Sequence, residues 1–327
     1  MKKTLFALSI TLFLSANSQL YARDQIKIVG SSTVYPFATV VAERFGKTSG
    51  FKTPVIESTG SGGGLKLFCS GLGTEHPDIT NASRRIKSKE VNKCAENGVE
   101  DITEIKVGYD GIALANSKSG PSLKLSLKEV YLALAKVVPA DPEGETVKPN
   151  PYKMWNEINP SLPAKPIVVI GPPPTSGTRD AMGSLFMKAG MKMLGLETYK
   201  KLREDGLAIE MGENDNLIIE KLASDPNMFG IFGYSFFDTN RDKVQASVVD
   251  GVELSFENIS SYSYPGSRPL FFYVKKAHVG VIPGLKEFVE EFISEKAMSM
   301  DGYLYPAGLV PLSDEDFATQ TANLNNL

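Results

Sequence analysis

Three short segments of the sequence are rich in serine, threonine and glycine, the residue types that commonly surround bound anions. They are residues 30–34 (GSSTV), 58–64 (STGSGGG) and 175–179 (TSGTR), and each follows a strand-like run and precedes a helix-like one. At a helix N-terminus, backbone N–H groups lack intrahelical acceptors and the helix dipole is positive, so an oxyanion is stabilised there. Glycine lets the anion approach the backbone, and hydroxyl groups add donors that rotate to suit it. The pattern predicts that three turns converge on one anion.

The same composition has two other interpretations. Each segment taken alone is typical of an ordinary turn or helix cap. A nucleotide site would need a different glycine spacing, and neither GxGxxG nor GxxxxGK[ST] occurs in the sequence. The presence of three such segments therefore favours a small oxyanion over a nucleotide.

Arginines beside these turns could supply positive charge. Arg179 directly follows the third turn, and Arg84 and Arg85 stand at the end of another strand-like run. A guanidinium presents a planar fork that matches phosphate and remains ionised. Open α/β sheets bind ligands at the carboxyl ends of their strands, which favours a ligand role for these residues. A solvated surface pair is the alternative for Arg84 and Arg85.

Composition excludes several other kinds of site. The chain has 327 residues, of which 42% are hydrophobic and 22% charged, as in ordinary soluble domains, and this length suggests two domains. Two histidines and two cysteines, without HExxH, do not provide a zinc site. GxSxG is absent, and neither His76 nor His278 lies beside a nucleophile motif. We therefore expect no enzyme activity, no metal and no cofactor.

The first 22 residues have the pattern of a secretory signal. Lys2 and Lys3 precede the ten-residue apolar run 5–14, and small residues allow cleavage after Ala22 or Ser18. The run is too short to span a membrane, although an uncleaved anchor is the alternative. Cleavage leaves 33 Lys and Arg against 38 Asp and Glu, a net charge of −5. The exported chain is mildly acidic, so we expect no general attraction to nucleic acid or anionic lipid.

Export determines how the two cysteines are interpreted. Cys69 and Cys94 are 25 positions apart and lack the CxxC spacing of thioredoxin-like redox sites. In an oxidising compartment such a pair predicts one structural disulfide. Two buried free thiols are the alternative.

Strand-like and helix-like runs alternate along the chain. Residues 26–29 predict a strand, residues 35–45 a helix with proline in its first turn, and residues 167–170 a buried strand. The proline-dense stretch 138–163 lacks an apolar period and predicts a surface excursion, and residues 285 to about 300 predict one long helix. The repetition predicts an α/β architecture with a largely parallel sheet.

Six segments together resemble the periplasmic phosphate-binding receptor of the high-affinity phosphate ABC transporter, a member of the class II periplasmic-binding-protein-like superfamily. They are GSSTVYPF (30–37), STGSGGG (58–64), DITNASR (78–84), GYDGIAL (108–114), SGTRD (176–180) and YPGSRPLFFY (264–273). The resemblance implies a two-lobed periplasmic-binding-protein fold in which each lobe is a mixed sheet flanked by helices, joined by a two-strand hinge. Lobe one would comprise residues 24–112 and 266–327, and lobe two residues 113–265.

The resemblance also implies a function. The chain would be a monomeric periplasmic receptor that captures inorganic phosphate between its lobes and delivers it to the membrane permease of a phosphate ABC transporter. A receptor for another oxyanion, such as sulfate, arsenate or a phosphonate, is the alternative, followed by an exported phosphatase. Matching by motif implies the following ligand donors: the hydroxyls of Ser32 and Thr33, the amide of Val34, Ser61, Ser176, Gly177, Thr178 and Arg179. The family pattern favours Thr33 with Val34.

Two departures from the family pattern concern charge. Arg84 stands where the best-characterised branch has an aspartate that accepts the phosphate proton, and Pro172 stands where that branch has an arginine. Arg84 and Arg179 would therefore carry the positive charge, in a more cationic pocket. Discrimination against sulfate would need another proton acceptor, such as Asp110 or Asp180. Ordinary structural roles, in a turn for Asp110 and in the first turn of a helix for Asp180, are the alternatives.

Overall fold

The structure is a computed structural model that describes residues 23–198, 201–212, 214–324 and 327. The predicted signal segment, residues 1–22, lies outside the described residues. None of the helices among the described residues has the length and apolar character that a membrane crossing requires.

Strands and helices alternate over most of the chain. The strands are β1 (Lys27–Gly30), β2 (Val55–Ser58), β3 (Ile79–Ala82), β4 (Ile102–Ser117), β5 (Lys124–Leu125), β6 (Val137–Pro139), β7 (Val147–Pro149), β8 (Val169–Gly171), β9 (Ala208–Glu210), β10 (Phe229–Gly233), β11 (Val244–Ala246), β12 (Val248–Val249) and β13 (Ser267–Lys275). The first helices are α1 (Tyr35–Thr48), α2 (Gly60–Phe68), α3 (Ser88–Glu96), α4 (Leu127–Leu134), α5 (Trp155–Ile158), α6 (Gly177–Met182) and α7 (Lys188–Met193). The later helices are α8 (Asp215–Ser224), α9 (Tyr234–Asp238), α10 (Phe256–Ser260), α11 (Leu285–Phe292), α12 (Glu295–Met298) and α13 (Asp314–Leu324). A π-helix (Gly183–Met187) joins α6 to α7, and a 3₁₀ turn (Lys276–His278) follows β13.

A mixed sheet organises the fold in the order β2-β1-β3-β13-β4-β10-β8-β9, with β11 also paired to β4. Strands β1, β2 and β3 are parallel, as are β8, β9 and β10. The long strands β4 and β13 run antiparallel to each other and connect these two groups. The predicted α/β class is therefore confirmed, and the expectation of a largely parallel sheet is corrected at β4 and β13. The predicted lobe boundaries stay a prediction.

Apolar residues at helical spacing explain why α1 forms and where it packs. Pro36 lies in its first turn, and Phe37, Val41 and Phe45 are buried along one face. The ring of Phe45 meets that of Phe288 on α11 edge to face, with 5.5 Å between ring centroids. The long helix expected after residue 285 is wrong, because the chain turns at Ser294 and divides into α11 and α12.

The disulfide prediction is confirmed. Cys69 follows α2 and bonds to Cys94 on α3. Both cysteines lie in a small apolar cluster with Leu65, Phe68 and Tyr273. The bridge therefore joins two helices that pack beside the same side of the sheet.

The proline-dense stretch 138–163 is less of a surface excursion than the sequence suggests. Strands β6 and β7 pair within it, and Trp155 is buried against Phe229 with ring centroids 5.0 Å apart. One aromatic side chain therefore anchors the stretch to the sheet.

A cluster of charged side chains is buried beside the start of β3. The carboxylate of Asp78 is fully buried, accepts two hydrogen bonds of 2.9 Å from Arg23, and lies 2.6 Å from Nδ1 of His278. Burial by itself raises the pKa of Asp78, but the hydrogen bonds from His278 and Arg23 outweigh it and hold that pKa below its usual value. The cluster therefore connects Arg23, the first residue that the structure describes, to the start of β3.

We expect Asp78→Asn to lower the free energy of unfolding by about 3 kcal/mol or more near neutral pH, because it leaves the largely buried Arg23 guanidinium without its counter-ion and removes a carboxylate oxygen from the buried His278 ring. Since the folded pKa lies below the ordinary value of 3.8, the contribution is present above that pH and is lost as pH falls through the folded pKa. Urea unfolding at about pH 7 and about pH 3 checks this, because the gap between the two proteins should narrow at low pH. Asp24→Asn, which breaks an exposed pair with Lys52, is the control and should change the free energy of unfolding far less, because water screens that pair. Equal losses from both substitutions would contradict the prediction.

Candidate functional site

Parallel pairing brings the ends of three strands to one edge of the sheet. Strands β1, β2 and β3 are hydrogen-bonded neighbours, so the segments after Gly30, Ser58 and Ala82 emerge together. The glycine-rich segment is not a loop, because Gly60 already begins α2. Gly64 crosses so close to Gly30 that a Cβ there would overlap the Gly30 backbone. This close approach holds the N-terminus of α2 against the end of β1.

Two cavities open beside these strand ends. The first, which we name the arginine cavity, has a volume of about 520 Å³ and includes Ser32, Ser61, Ser83, Arg84, Asp180 and Arg268 in its wall. The second, the adjoining cavity, has a volume of about 830 Å³ and includes Ser32, Thr33, Asp110, Ser176, Gly177 and Thr178. Ser32 borders both. All the site residues expected from the sequence line one of these cavities, apart from Val34 and Arg179.

A contact between two of the predicted turns lies in the wall of the adjoining cavity. The hydroxyl of Thr33 donates a 3.4 Å hydrogen bond to the carbonyl oxygen of Gly177. A Cβ at position 177 would overlap the Thr33 backbone, so glycine is required for this approach. The turn at residues 175–179 therefore lies directly on the N-terminal end of α1, although the two are 144 positions apart.

Arg268 on β13 is the main site residue that the sequence reasoning missed. Its Nε donates to Asp110 at 2.9 Å and its Nη1 to Asp180 at 3.1 Å. Its Nη2 donates to the Thr33 hydroxyl at 2.7 Å and to the Gly177 carbonyl at 3.3 Å. The residue is only 8% exposed. One guanidinium therefore joins the turn before α1, the start of α6 and the strand β4.

The sequence did carry a signal for Arg268. The segment SRPLFFYVK places a lone arginine at the start of an otherwise apolar strand. A buried arginine needs acidic partners, and Asp110 and Asp180 are both candidate site residues in the sequence. What the sequence could not show is that all three meet.

Arg84 lines the arginine cavity, and its guanidinium is paired with the carboxylate of Glu90. Its Nη1 and Nη2 donate to the two carboxylate oxygens of Glu90 at 2.9 and 2.8 Å. Glu90 also accepts the Lys87 amide in the first turn of α3. The hydrogen bonds with Arg84 hold the pKa of Glu90 below its usual value and raise that of Arg84. The guanidinium is therefore fixed in place and fully charged.

The turn before α1 differs from the pattern that the resemblance favours. The amides of Thr33 and Val34 donate to the Ser31 hydroxyl at 3.2 and 3.4 Å. The Thr33 hydroxyl is engaged by Arg268 and Gly177, as described above. Ser32 is instead the hydroxyl-bearing residue of this turn that borders both cavities. Sequence matching could not distinguish Ser32 from Thr33 in this way.

The structure places Arg179 away from both cavities. Its guanidinium donates to the Pro172 carbonyl at 3.1 Å and to Glu210 at 3.3 Å, and it lines a separate pocket of about 430 Å³. Successive residues of an α-helix point about 100° apart, and Asp180 is the residue of α6 that faces Arg268. Arg268, and not Arg179, therefore lines the arginine cavity beside Arg84.

The two candidate proton acceptors share one guanidinium but differ in environment. The side chain of Asp110 is only 12% exposed, and this partial burial raises its pKa above the usual value against the opposing effect of Arg268. The side chain of Asp180 is 58% exposed and lies in the wall of the arginine cavity. Among the described residues, no group of three or more His, Cys, Asp and Glu side chains is placed to hold a metal ion.

Comparison with known proteins decides the family. The family model described as a PBP superfamily domain matches residues 15–296. The chain belongs to the PBP superfamily. This PBP-superfamily chain is 30% identical to the protein SphX of Synechococcus elongatus, over 89% of its own length and 79% of the relative's. It is 27% identical to the phosphate-binding protein PstS of Staphylococcus saprophyticus, over 93% and 85% of the two lengths.

Solved structures agree with the family assignment. A crystal structure from Planctomyces limnophilus, described as a possible phosphate binding protein, is 26% identical and matches with a TM-score of 0.73, over 92% of this chain and 98% of that one. A Clostridium perfringens protein assigned as a phosphate ABC transporter substrate-binding protein, solved with bound phosphate, is 25% identical with a TM-score of 0.55, over 88% and 100%. The resemblance stated from the sequence is therefore confirmed at the level of family and fold.

We expect Arg268→Met to lower the free energy of unfolding by about 3 kcal/mol, because Asp110 then remains buried without its cation. The folded pKa of Asp110 is already raised, so its ionised form is disfavoured in the fold, and the loss should grow as pH rises above about 4. Adding Asp110→Asn to Arg268→Met should recover part of the loss. A double-mutant cycle in urea at about pH 4 and about pH 7 measures the coupling, and strictly additive effects at both pH values would refute it.

Proposed function

We propose that this protein is an extracytoplasmic solute-binding receptor that captures inorganic phosphate between two lobes and delivers it to an ABC transporter permease. The observation that carries this proposal is the arginine cavity, where two guanidinium groups and five serines meet beside the N-termini of α1 and α2. The phosphate named in the relatives' descriptions supports the choice of anion.

The donors of the cavity suit a tetrahedral oxyanion. Ser32 and Ser61 offer hydroxyls, Arg84 offers a fixed charge, and the start of α2 offers backbone N–H groups. Hydrogen bonds to described residues use four of the five N–H groups of Arg268, and the fifth is available to a ligand. Charge-assisted hydrogen bonds contribute about 1.5–3 kcal/mol each, so several of them support a micromolar to nanomolar dissociation constant.

The cavity residues are divided between the two proposed lobes, which explains why a bound ligand favours their closure. In the proposed division, residues 24–112 and 266–327 carry Ser32, Ser61, Arg84 and Arg268, and residues 113–265 carry Ser176, Gly177, Thr178 and Asp180. In that division the first crossing lies within β4 and the return crossing lies directly before β13. Because a ligand in the cavity contacts both sides only when they meet, binding favours the closed arrangement.

A proton acceptor in the cavity can distinguish phosphate from sulfate. Phosphate near neutral pH carries a proton that it can donate, whereas sulfate carries none. Asp180 lies in the wall of the arginine cavity and Asp110 in that of the adjoining one, so we assign the acceptor role to Asp180. Its Oδ2 accepts a hydrogen bond from Arg268, which leaves the carboxylate held in the wall of the arginine cavity.

The histidines support a receptor over an enzyme. His278 is buried with its ring nitrogens at Asp78 and the Leu72 carbonyl, and His76 contacts Ser70. Neither lines the arginine cavity or the adjoining cavity. The proposal further places the chain in the periplasm as a monomer, after cleavage of its signal segment.

Isothermal titration calorimetry should show one phosphate site with a dissociation constant in the micromolar range or tighter, about −8 kcal/mol or more favourable. Arg84→Ala should weaken binding by at least about tenfold, equivalent to about 1.4 kcal/mol. Its neighbour Arg85 is exposed and pairs with Glu104, so Arg85→Ala is the matched control and should change affinity by less than about twofold. If sulfate or a phosphonate binds more tightly than phosphate, the chain is a receptor for that oxyanion instead.

Asp180→Asn should reduce the preference for phosphate over sulfate by at least about tenfold, because the amide no longer accepts the proton and offers a donor to either anion. The exposed Asp242→Asn is the control. Competition calorimetry with both anions at about pH 7 measures the preference. An unchanged preference would transfer the acceptor role to another group.

A further inference from the structure

A β-bulge interrupts the pairing of the two long antiparallel strands β4 and β13. Leu270 pairs with Gly108 and Phe271 with Lys106, so Val107 has no residue opposite to it on β13. A bulge of this kind bends a strand and increases its local twist. It lies shortly before Ile112, where β4 begins to pair with β10 and where the proposed lobe boundary falls, so a bend of β4 at the bulge changes the angle between the lobes.

The C-terminal segment covers the other edge of β4 at this bulge. Strand β10 pairs with β4 only from Ile112 onward. Before that point, the Lys106 amide donates to the side-chain oxygen of Gln320 at 2.9 Å, and Tyr109 and Val310 exchange backbone hydrogen bonds of 2.8 and 3.3 Å. Gln320 on α13 is only 6% exposed. The helix α13 therefore supplies an acceptor to a buried strand edge that would otherwise need a neighbouring strand.

Side chains reinforce the same contact. The ammonium of Lys106 lies 2.7 Å from the carboxylate of Asp316 on α13, and the Tyr109 hydroxyl donates to that carboxylate. Burial alone raises the pKa of Asp316, but the bonds from Lys106 and Tyr109 outweigh it and lower that pKa. Asp316 is thus held as an anion between two residues of the crossing strand.

A strained residue packs on this arrangement from the segment that precedes β13. Tyr262 has φ of +58°, the left-handed region that bulky side chains rarely adopt. Its ring meets Tyr109 edge to face with centroids 5.8 Å apart, and Lys106 Nζ lies 5.8 Å from its centroid. Such backbone strain persists only where surrounding contacts enforce it. Tyr262 belongs to the proposed lobe two, so this contact spans the crossing outside the cleft.

We propose that α13 is a brace that fixes the angle of the β4 bulge and so sets how readily the lobes close on phosphate. Lys106, Asp316 and Gln320 are its positioning residues, and none of them lines the arginine cavity or the adjoining cavity. The inference depends on the proposed function for its ligand. If the brace is weakened, the closed arrangement is populated less, and apparent affinity falls in proportion to that population.

Gln320→Leu is the variant that tests the brace, because it replaces the side-chain amide that accepts the Lys106 N–H with an apolar group of similar size. We expect phosphate affinity to fall by about three- to tenfold. Gln320→Glu retains an acceptor and should stay within about twofold of the native chain. Thr319→Ala, whose hydroxyl bonds only within the helix to Glu315 O among the described residues, is the matched control. If Gln320→Leu does not fold, as judged by its melting temperature, Asp316→Asn takes its place.

A second readout reports closure without any ligand. The native cysteines form a disulfide, so cysteines introduced at the exposed positions Lys89 and Lys188 can be labelled selectively, one on each proposed lobe. Gln320→Leu should lengthen and broaden the distance between these labels, and saturating phosphate should restore the native distance. Native affinity and a native distance distribution in Gln320→Leu would overturn the brace. A native chain that binds no phosphate but responds to Gln320→Leu in distance would instead overturn the proposed function alone.

Discussion

The pairing of Arg268 with Asp110 is the interaction on which the rest of the cleft depends. A buried guanidinium is tolerated only when acceptors surround it, and here the acceptors come from β4, from α6 and from the turn before α1. In the proposed division Asp110 and Arg268 belong to the same lobe, so their pair stays intact when the lobes part, and opening breaks only the bonds from Arg268 to Asp180 and Gly177. The contact between Thr33 and Gly177, and the positions of both cavities, follow from satisfying this one side chain.

The same pairing limits how the site can attract an anion. Two guanidinium groups face the arginine cavity, but Glu90, Asp110 and Asp180 contact them directly. Net charge at the site is therefore small, and the mildly acidic chain adds no long-range attraction. Recognition must come from short-range, oriented groups, namely hydroxyls, helix N-terminal amides and the fixed guanidinium forks. Such groups favour one ligand geometry, as selectivity among tetrahedral anions requires.

Local features of this protein could be predicted from the sequence, and distant contacts could not. The α/β class, the strand ends that bear serine and glycine, and the Cys69–Cys94 bridge follow from patterns within a few residues or from composition. The role of Arg268 could not be found in that way, because its partner Thr33 is 235 positions away. The direction of Arg179 depends on the exact residue at which α6 begins, which is the least predictable property of a helix. The engagement of the Thr33 hydroxyl depends on Gly177, again from a remote turn.

One strand connects the brace to the cleft. Tyr109 and Asp110 are consecutive on β4, and consecutive side chains of a strand point to opposite faces of the sheet. Tyr109 contacts α13 through Asp316, and Asp110 contacts Arg268. A change in the angle of the bulge at Val107 therefore moves both contacts together, since a single backbone carries them. In this arrangement the C-terminal helix acts on the anion site through the orientation of one carboxylate, without itself approaching the ligand.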